Sequence, residues 1–182
     1  MPRFVTRDAA TGEITGVDVD RILAHPRFGK ALERTITGWE GRPAPPFATT
    51  TWDGKPLTSE SLAGKPHLVY FWFTGCPPCG RTAPLLAELD REFAARGFRI
   101  VALNADRALE LPATDEDRAA YATRYGWAFT LGHMTPDVQE AYGSVSVFPT
   151  LFFVGRKGTI VRQFVNFQEK QTLEEATRVA LE

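Results

Sequence analysis

The chain has 182 residues, 43% of them hydrophobic and 24% charged, with a formal net charge of -1. That length supports one well-buried domain plus an extension and falls short of two full domains. The balanced charge gives no basic excess of the kind that binds nucleic acid or an anionic membrane, and no run nears the roughly 18 apolar residues of a membrane span.

The N-terminus, MPRFVTRDAATGEITG, lacks the apolar core of a secretory signal. Either the chain is cytosolic, or Met1 follows a leader or anchor that has been removed. Phe28, Leu32, Ile36 and Trp39 are spaced as on one face of a helix, with Pro26 in its first turn. Gly41 and Pro43-Ala44-Pro45-Pro46 then break it. Residues 1–45 therefore read as a helical extension with a Pro-rich linker, packed on the main domain or used for docking or dimerisation. Residues 46–182 read as that domain.

From residue 47 the pattern is α/β. Residues 47–52 form a short strand, followed by the turn Asp53-Gly54-Lys55-Pro56. Residues 59–62 make one helical turn ended by Gly64. Residues 67–73 are continuously apolar after His67, as in a central strand covered on both faces; His67 is expected at its partly exposed start. A helix over 78–96 buries Leu85, Leu86, Leu89 and Phe93 and stops at Gly97. Residues 98–104 form the next strand, so the two strands should be parallel with a right-handed crossover.

Residues 106–114 look irregular. Helices follow over 115–125, whose Asp115-Glu116-Asp117-Arg118 reads as a solvated start, and over 136–142, capped by Thr135. Strands over 150–154 and 160–165 flank a hairpin turn at Gly155-Arg156-Lys157-Gly158. A last helix over 173–181 has Thr172 as cap and Glu175 three residues on.

The chain holds two cysteines, three positions apart, in Cys76-Pro77-Pro78-Cys79. A pair this close closes almost no loop and stabilises little by restricting the unfolded chain, so its value lies in chemistry or metal binding. Cys76 falls between an apolar central strand and a helix. There the helix N-terminus offers free N–H groups and a positive dipole end, both of which favour thiolate. Cys79, one turn further in, is expected to be more buried. These unequal sulfurs suit exchange: Cys76 attacks a substrate sulfur and Cys79 resolves the mixed disulfide. Pro77 and Pro78 fix the first turn without needing hydrogen-bond partners. The metal alternative, a copper or zinc carrier, has only His25, His67 and His133 to add to the pair, single and scattered.

The segments Asp53-Gly54-Lys55-Pro56-Leu57, Phe71-Trp72, CPPC with Pro84, Tyr142-Gly143 and Val147-Phe148-Pro149-Thr150 resemble the TlpA/ResA-like group of the thioredoxin superfamily, over about three quarters of the chain. The resemblance implies a thioredoxin-like α/β fold, a central mixed sheet flanked by helices. It also implies a cis-Pro149 against the active-site sulfurs, with the Phe148 backbone free to pair with a substrate strand. Trp72 either lines the base of the site or simply packs in the core. The resemblance implies a thiol–disulfide oxidoreductase acting on protein substrates as an extracytoplasmic reductant, fed by an upstream thiol donor and needing no cofactor; a general oxidant stays open, because the loop composition alone does not set the potential.

Three positions depart from the pattern. Gly75 stands where many relatives have Trp before the first cysteine, which should open the site. Tyr70 stands where thioredoxins proper keep a buried Asp. The Glu that ResA-like members place after the strand over 98–104 is missing, and Asp106 is the candidate acid/base helper of Cys79; the plainer reading pairs it with Arg107 in a solvated loop. Trp127 and Phe129 either shape a substrate groove or simply pack.

Overall fold

A computed structural model describes residues 5–7, 9–11, 14–17 and 38–182. The helix expected over residues 28–39 lies outside the described residues except for its end. In the N-terminal segment, β1 (Val5–Arg7) and β2 (Ile14–Val17) pair as an antiparallel hairpin, an element that the periodicity of the extension did not announce.

A second hairpin, β3 (Ala48–Thr50) with β4 (Pro56–Thr58), precedes a 3-10 turn over Ser59–Leu62. The main sheet has the order β7-β6-β5-β8-β9. β5 (His67–Trp72) runs parallel to β6 (Arg99–Asn104), which runs parallel to β7 (Thr130–His133). β8 (Thr150–Val154) and β9 (Ile160–Val165) complete the other side, antiparallel. The sheet is thus mixed, and β5 lies at its centre.

Alternation along the strands builds two cores. Leu68, Tyr70 and Trp72 of β5, Ile100 and Ala102 of β6, and Leu151 and Phe153 of β8 face one side. They meet α1 (Pro77–Phe93) and α4 (Lys170–Leu181) through Leu86, Leu89, Phe93, Leu173 and Ala180. Val69, Phe71, Val101, Leu103, Phe152 and Val154 face the other side, against Phe47, Leu57, Tyr142 and α3 (Pro136–Ala141). Burial on both faces explains why the central strands read as unbroken apolar runs.

Several expectations change. His67 is 6% exposed, not an edge residue: β5 is flanked by strands on both sides, so even its first residue is covered. Burial pulls its imidazole below the ordinary value, partly offset by a 2.7 Å contact between Nδ1 and the Lys65 carbonyl. Leu85 is only partly buried, and Ala83 and Leu86 take the inner face of α1. The last helix begins at Lys170 with Glu169 as N-cap, so Thr172 is not its cap. β7 is an added strand, short and containing Gly132.

The segment before β3 does not hang free. Gly41 N–H donates to the Ile160 carbonyl, Ala44 N–H to that of Gly158 and Ile160 N–H to that of Arg42, each at 2.8 Å. Trp39 packs edge-on to Phe152 at 5.4 Å.

Candidate active site

β5 ends at Trp72, and Phe73-Thr74-Gly75 turn the chain into α1. Gly75 makes that turn at φ 83°, a left-handed conformation that any Cβ would strain. Cys76 is the N-cap of α1, with Pro77 and Pro78 in its first turn, where their missing N–H groups cost nothing. Pro84 lies inside the helix on its exposed side.

Cys76 and Cys79 form a disulfide. Cys79 N–H points at Cys76 Sγ from 3.3 Å, as a cap donor would. No acidic residue occupies the first turn of this 17-residue helix. Cys79 is 0% exposed and Cys76 3%, and Cys76 forms part of the wall of an open cleft of about 720 Å³. Phe73, Thr74, Gly75 and Gly80 line it on the cysteine side; Leu111–Ala113 and residues of α2 (Asp115–Arg124) with Tyr125 line it on the other.

Other residues named from the sequence gather around this point. Trp72 is fully buried; its ring stacks on Tyr121 at 4.7 Å and meets Trp127 edge-on at 5.0 Å. Phe71 pairs with Thr150, which brings Pro149 level with the end of β5. The Phe148–Pro149 peptide is cis, and the Phe148 ring lies edge-on to Phe73 at 5.4 Å. Trp127 packs: its Nε1–H donates to the Ala83 carbonyl at 2.9 Å. Phe129 lies beside Trp127 and lines a shallow second cleft with Trp52 and Leu131.

Asp106 is not in a solvated loop and does not pair with Arg107, which bonds Asp115 instead. It is 0% exposed, and its oxygens accept Thr74 N–H at 2.8 Å, Thr74 Oγ1–H at 2.7 Å and Arg118 Nη1–H at 3.2 Å. Arg118 is likewise buried, at 4% exposure, rather than part of a solvated helix start. The helix start itself is a capping box in which Thr114 and Asp117 each satisfy the other's backbone N–H.

Among the described residues, no three His, Cys, Asp or Glu side chains converge as a metal site would require. His133 lies on β7, two strands away from β5, with its ring beside Trp52.

The cleft residues Thr74, Tyr121 and Tyr125, and the buried Arg118 behind them, escape a reading by motif. The only signal is that Arg118, Tyr121 and Tyr125 share a helical face at i, i+3 and i+7. Tyr121 and Tyr125 approach α1 where Gly80 has no side chain: a Cβ there would lie 3.6 Å from the Tyr125 hydroxyl.

The family model described as Redoxin matches residues 40–179. The chain is 32% identical over 135 residues to the thiol-disulfide oxidoreductase ResA of Bacillus thuringiensis (strain Al Hakam), covering 74% of each. It is 28% identical over 136 residues to the thioredoxin-like protein YneN of Bacillus subtilis (strain 168), covering 75% of this chain and 77% of that one. Among solved structures, a thiol:disulfide interchange protein of the thioredoxin family from Chlorobium tepidum TLS superposes with a TM-score of 0.68 at 27% identity, over 80% of this chain and all of the other.

Proposed function

This chain belongs to the Redoxin family of the thioredoxin superfamily and is a ResA-like thiol–disulfide oxidoreductase, and within that class we propose that it reduces disulfides of protein substrates through Cys76 and Cys79. The observation that carries exchange through this pair is the inequality of the two sulfurs. Cys76 caps a helix and borders the open cleft, whereas Cys79 is fully buried behind it.

The cycle balances on sulfur alone. In the reduced protein the Cys76 thiolate, favoured by the Cys79 N–H and the helix N-terminus, attacks one sulfur of a substrate disulfide. A bond forms between Cys76 Sγ and that sulfur, and the other substrate sulfur leaves as a thiolate that takes a proton. Cys79, losing its proton, then attacks Cys76 Sγ. The mixed disulfide breaks, the second substrate thiol departs, and the Cys76–Cys79 disulfide is left with the two-electron oxidation. An upstream thiol donor reverses that oxidation. No cofactor takes part in these steps.

In this reading Pro77 and Pro78 hold the two sulfurs in bonding range, and Trp72 forms the base on which the loop rests. Pro149 and the Phe148 backbone offer a second substrate contact beside the end of β5. The setting we propose is extracytoplasmic, where disulfides form and persist. No helix among the described residues is long and apolar enough to cross a membrane.

The deciding test is the midpoint potential of the Cys76–Cys79 pair in dithiothreitol or glutathione buffers, read by thiol alkylation, with insulin reduction assayed in parallel. A potential near or below about -250 mV with insulin turnover supports the reductant. A potential near or above about -150 mV makes the protein an oxidant or isomerase and overturns it.

A further inference from the structure

The walls of the cleft beside Cys76 come from segments far apart in sequence, and they meet at one residue. Asp106 lies two residues past the end of β6, after the buried Asn104-Ala105 pair. Its N–H donates to Asn104 Oδ1 at 3.0 Å, and its own carbonyl accepts Leu111 N–H at 2.8 Å. Its carboxylate takes both donors of Thr74 and one from Arg118. Arg118 in turn donates to the Ala113 carbonyl at 2.9 Å and to Asp115. Thr74, Leu111 and Ala113 all line the cleft. One buried residue thus ties the loop that presents Cys76 to the segment that faces it across the opening.

A buried ion pair is a poor source of stability, because taking two charges out of water costs about as much as their attraction returns. Its strength is geometric: a carboxylate whose lone pairs are occupied by directional donors holds each donor in one place. Taking the reductant reading as its basis, we infer that Asp106 is a positioning residue, which through Thr74 and Arg118 sets the width and alignment of a cleft receiving the polypeptide that flanks the target disulfide. The aromatic lining from Phe73, Tyr121 and Tyr125 suits a peptide segment with apolar side chains. Asp106 does not touch the reacting sulfurs in this role. Its effect scales with how much of the substrate lies in the cleft.

The test compares a large and a small disulfide. Asp106→Asn and Thr74→Val are assayed for kcat and KM with insulin and with 5,5′-dithiobis(2-nitrobenzoate), alongside the midpoint potential. Thr74→Val removes one hydroxyl and leaves the Asp106–Arg118 pair and the Thr74 N–H bond in place, so it decides the matter if Asp106→Asn does not fold. The expected result is a loss of about tenfold in kcat/KM for insulin, carried by KM, at least several times the loss for the small disulfide, with the potential unmoved. Equal losses on both disulfides, a shifted potential, or no loss on insulin would each overturn the inference. A wild-type protein inactive on both disulfides would instead overturn the proposed function. The rates of Cys76 alkylation by iodoacetamide and by a bulkier aromatic iodoacetamide would then carry the test, with the variants expected to change the second more than the first.

Discussion

The backbone N–H of Cys79 points at the sulfur of Cys76 from 3.3 Å, so in the proposed cycle the residue that resolves the exchange would also favour the thiolate that starts it. In the reduced protein that N–H and the end of the 17-residue helix would lie beside Cys76. Both stabilise a thiolate and do nothing for a thiol. The rate at which iodoacetamide alkylates Cys76 in reduced protein should therefore reach half its plateau below the ordinary cysteine value of about 8.5. A midpoint at or above that value would mean that the helix end does not activate the sulfur.

Contact with the cleft sets the proposed order of attack. Because Cys76 borders the cleft and Cys79 is sealed behind it, Cys79→Ser should accumulate substrate as a mixed disulfide through Cys76, visible as bands lost on reduction in non-reducing gels. Cys76→Ser should accumulate little. Equal trapping by both variants would contradict the assigned roles.

The setting of the pair is legible in the sequence because it depends on local order: apolar strand, then Cys-Pro-Pro-Cys, then helix. Both faces of β5 are buried, so residues 68–73 show as one apolar run. The links closed by long separations were not readable. Asp106 meets Thr74 32 positions away and Arg118 12 positions away, and nothing in DEDR marks its arginine as the buried member. β7 was missed for a different reason. It has four residues, one of them Gly132, and its place is fixed by pairing with β6 rather than by its own strand propensity. At the last helix, the Thr172–Glu175 pattern fits a capping box, yet helical structure already begins at Lys170 and the pattern falls inside it.

Two glycines should respond to alanine in opposite directions. Gly80 lies inside α1, and a Cβ there meets the Tyr125 hydroxyl at 3.6 Å, an ordinary contact. Gly80→Ala should stabilise the oxidised protein by roughly 0.5–1 kcal/mol through helix propensity and a less free unfolded chain. At Gly132 a Cβ would lie 3.0 Å from Leu57 Cδ2, 3.1 Å from Leu103 Cδ2 and 3.1 Å from the Thr50 carbonyl oxygen. The leucine tips can shift, but the carbonyl belongs to β3 and cannot move alone. Gly132→Ala should cost about 1–3 kcal/mol, as overpacking does. Urea denaturation of both variants checks the pair, and a destabilised Gly80→Ala or a neutral Gly132→Ala would count against this packing.

His67 gives the fold a pH dependence of predictable sign. Burial in β5 lowers its folded-state value below the ordinary imidazole value of about 6.5, and the Lys65 carbonyl offsets only part of that effect. Between those two values the unfolded chain binds the proton and the folded protein does not, so stability falls as pH drops. Above about pH 7 both states are neutral and the slope vanishes; once pH passes below the folded-state value, both are charged and the loss levels off. His133 is shifted in the same direction, burial being the largest cause, so it adds a slope of the same sign. Urea midpoints of the oxidised protein should therefore decline from pH 7.5 to pH 5.5, and less steeply in His67→Gln, which removes the titrating group. An unchanged slope in that variant would show that His67 is not a source of the acid sensitivity.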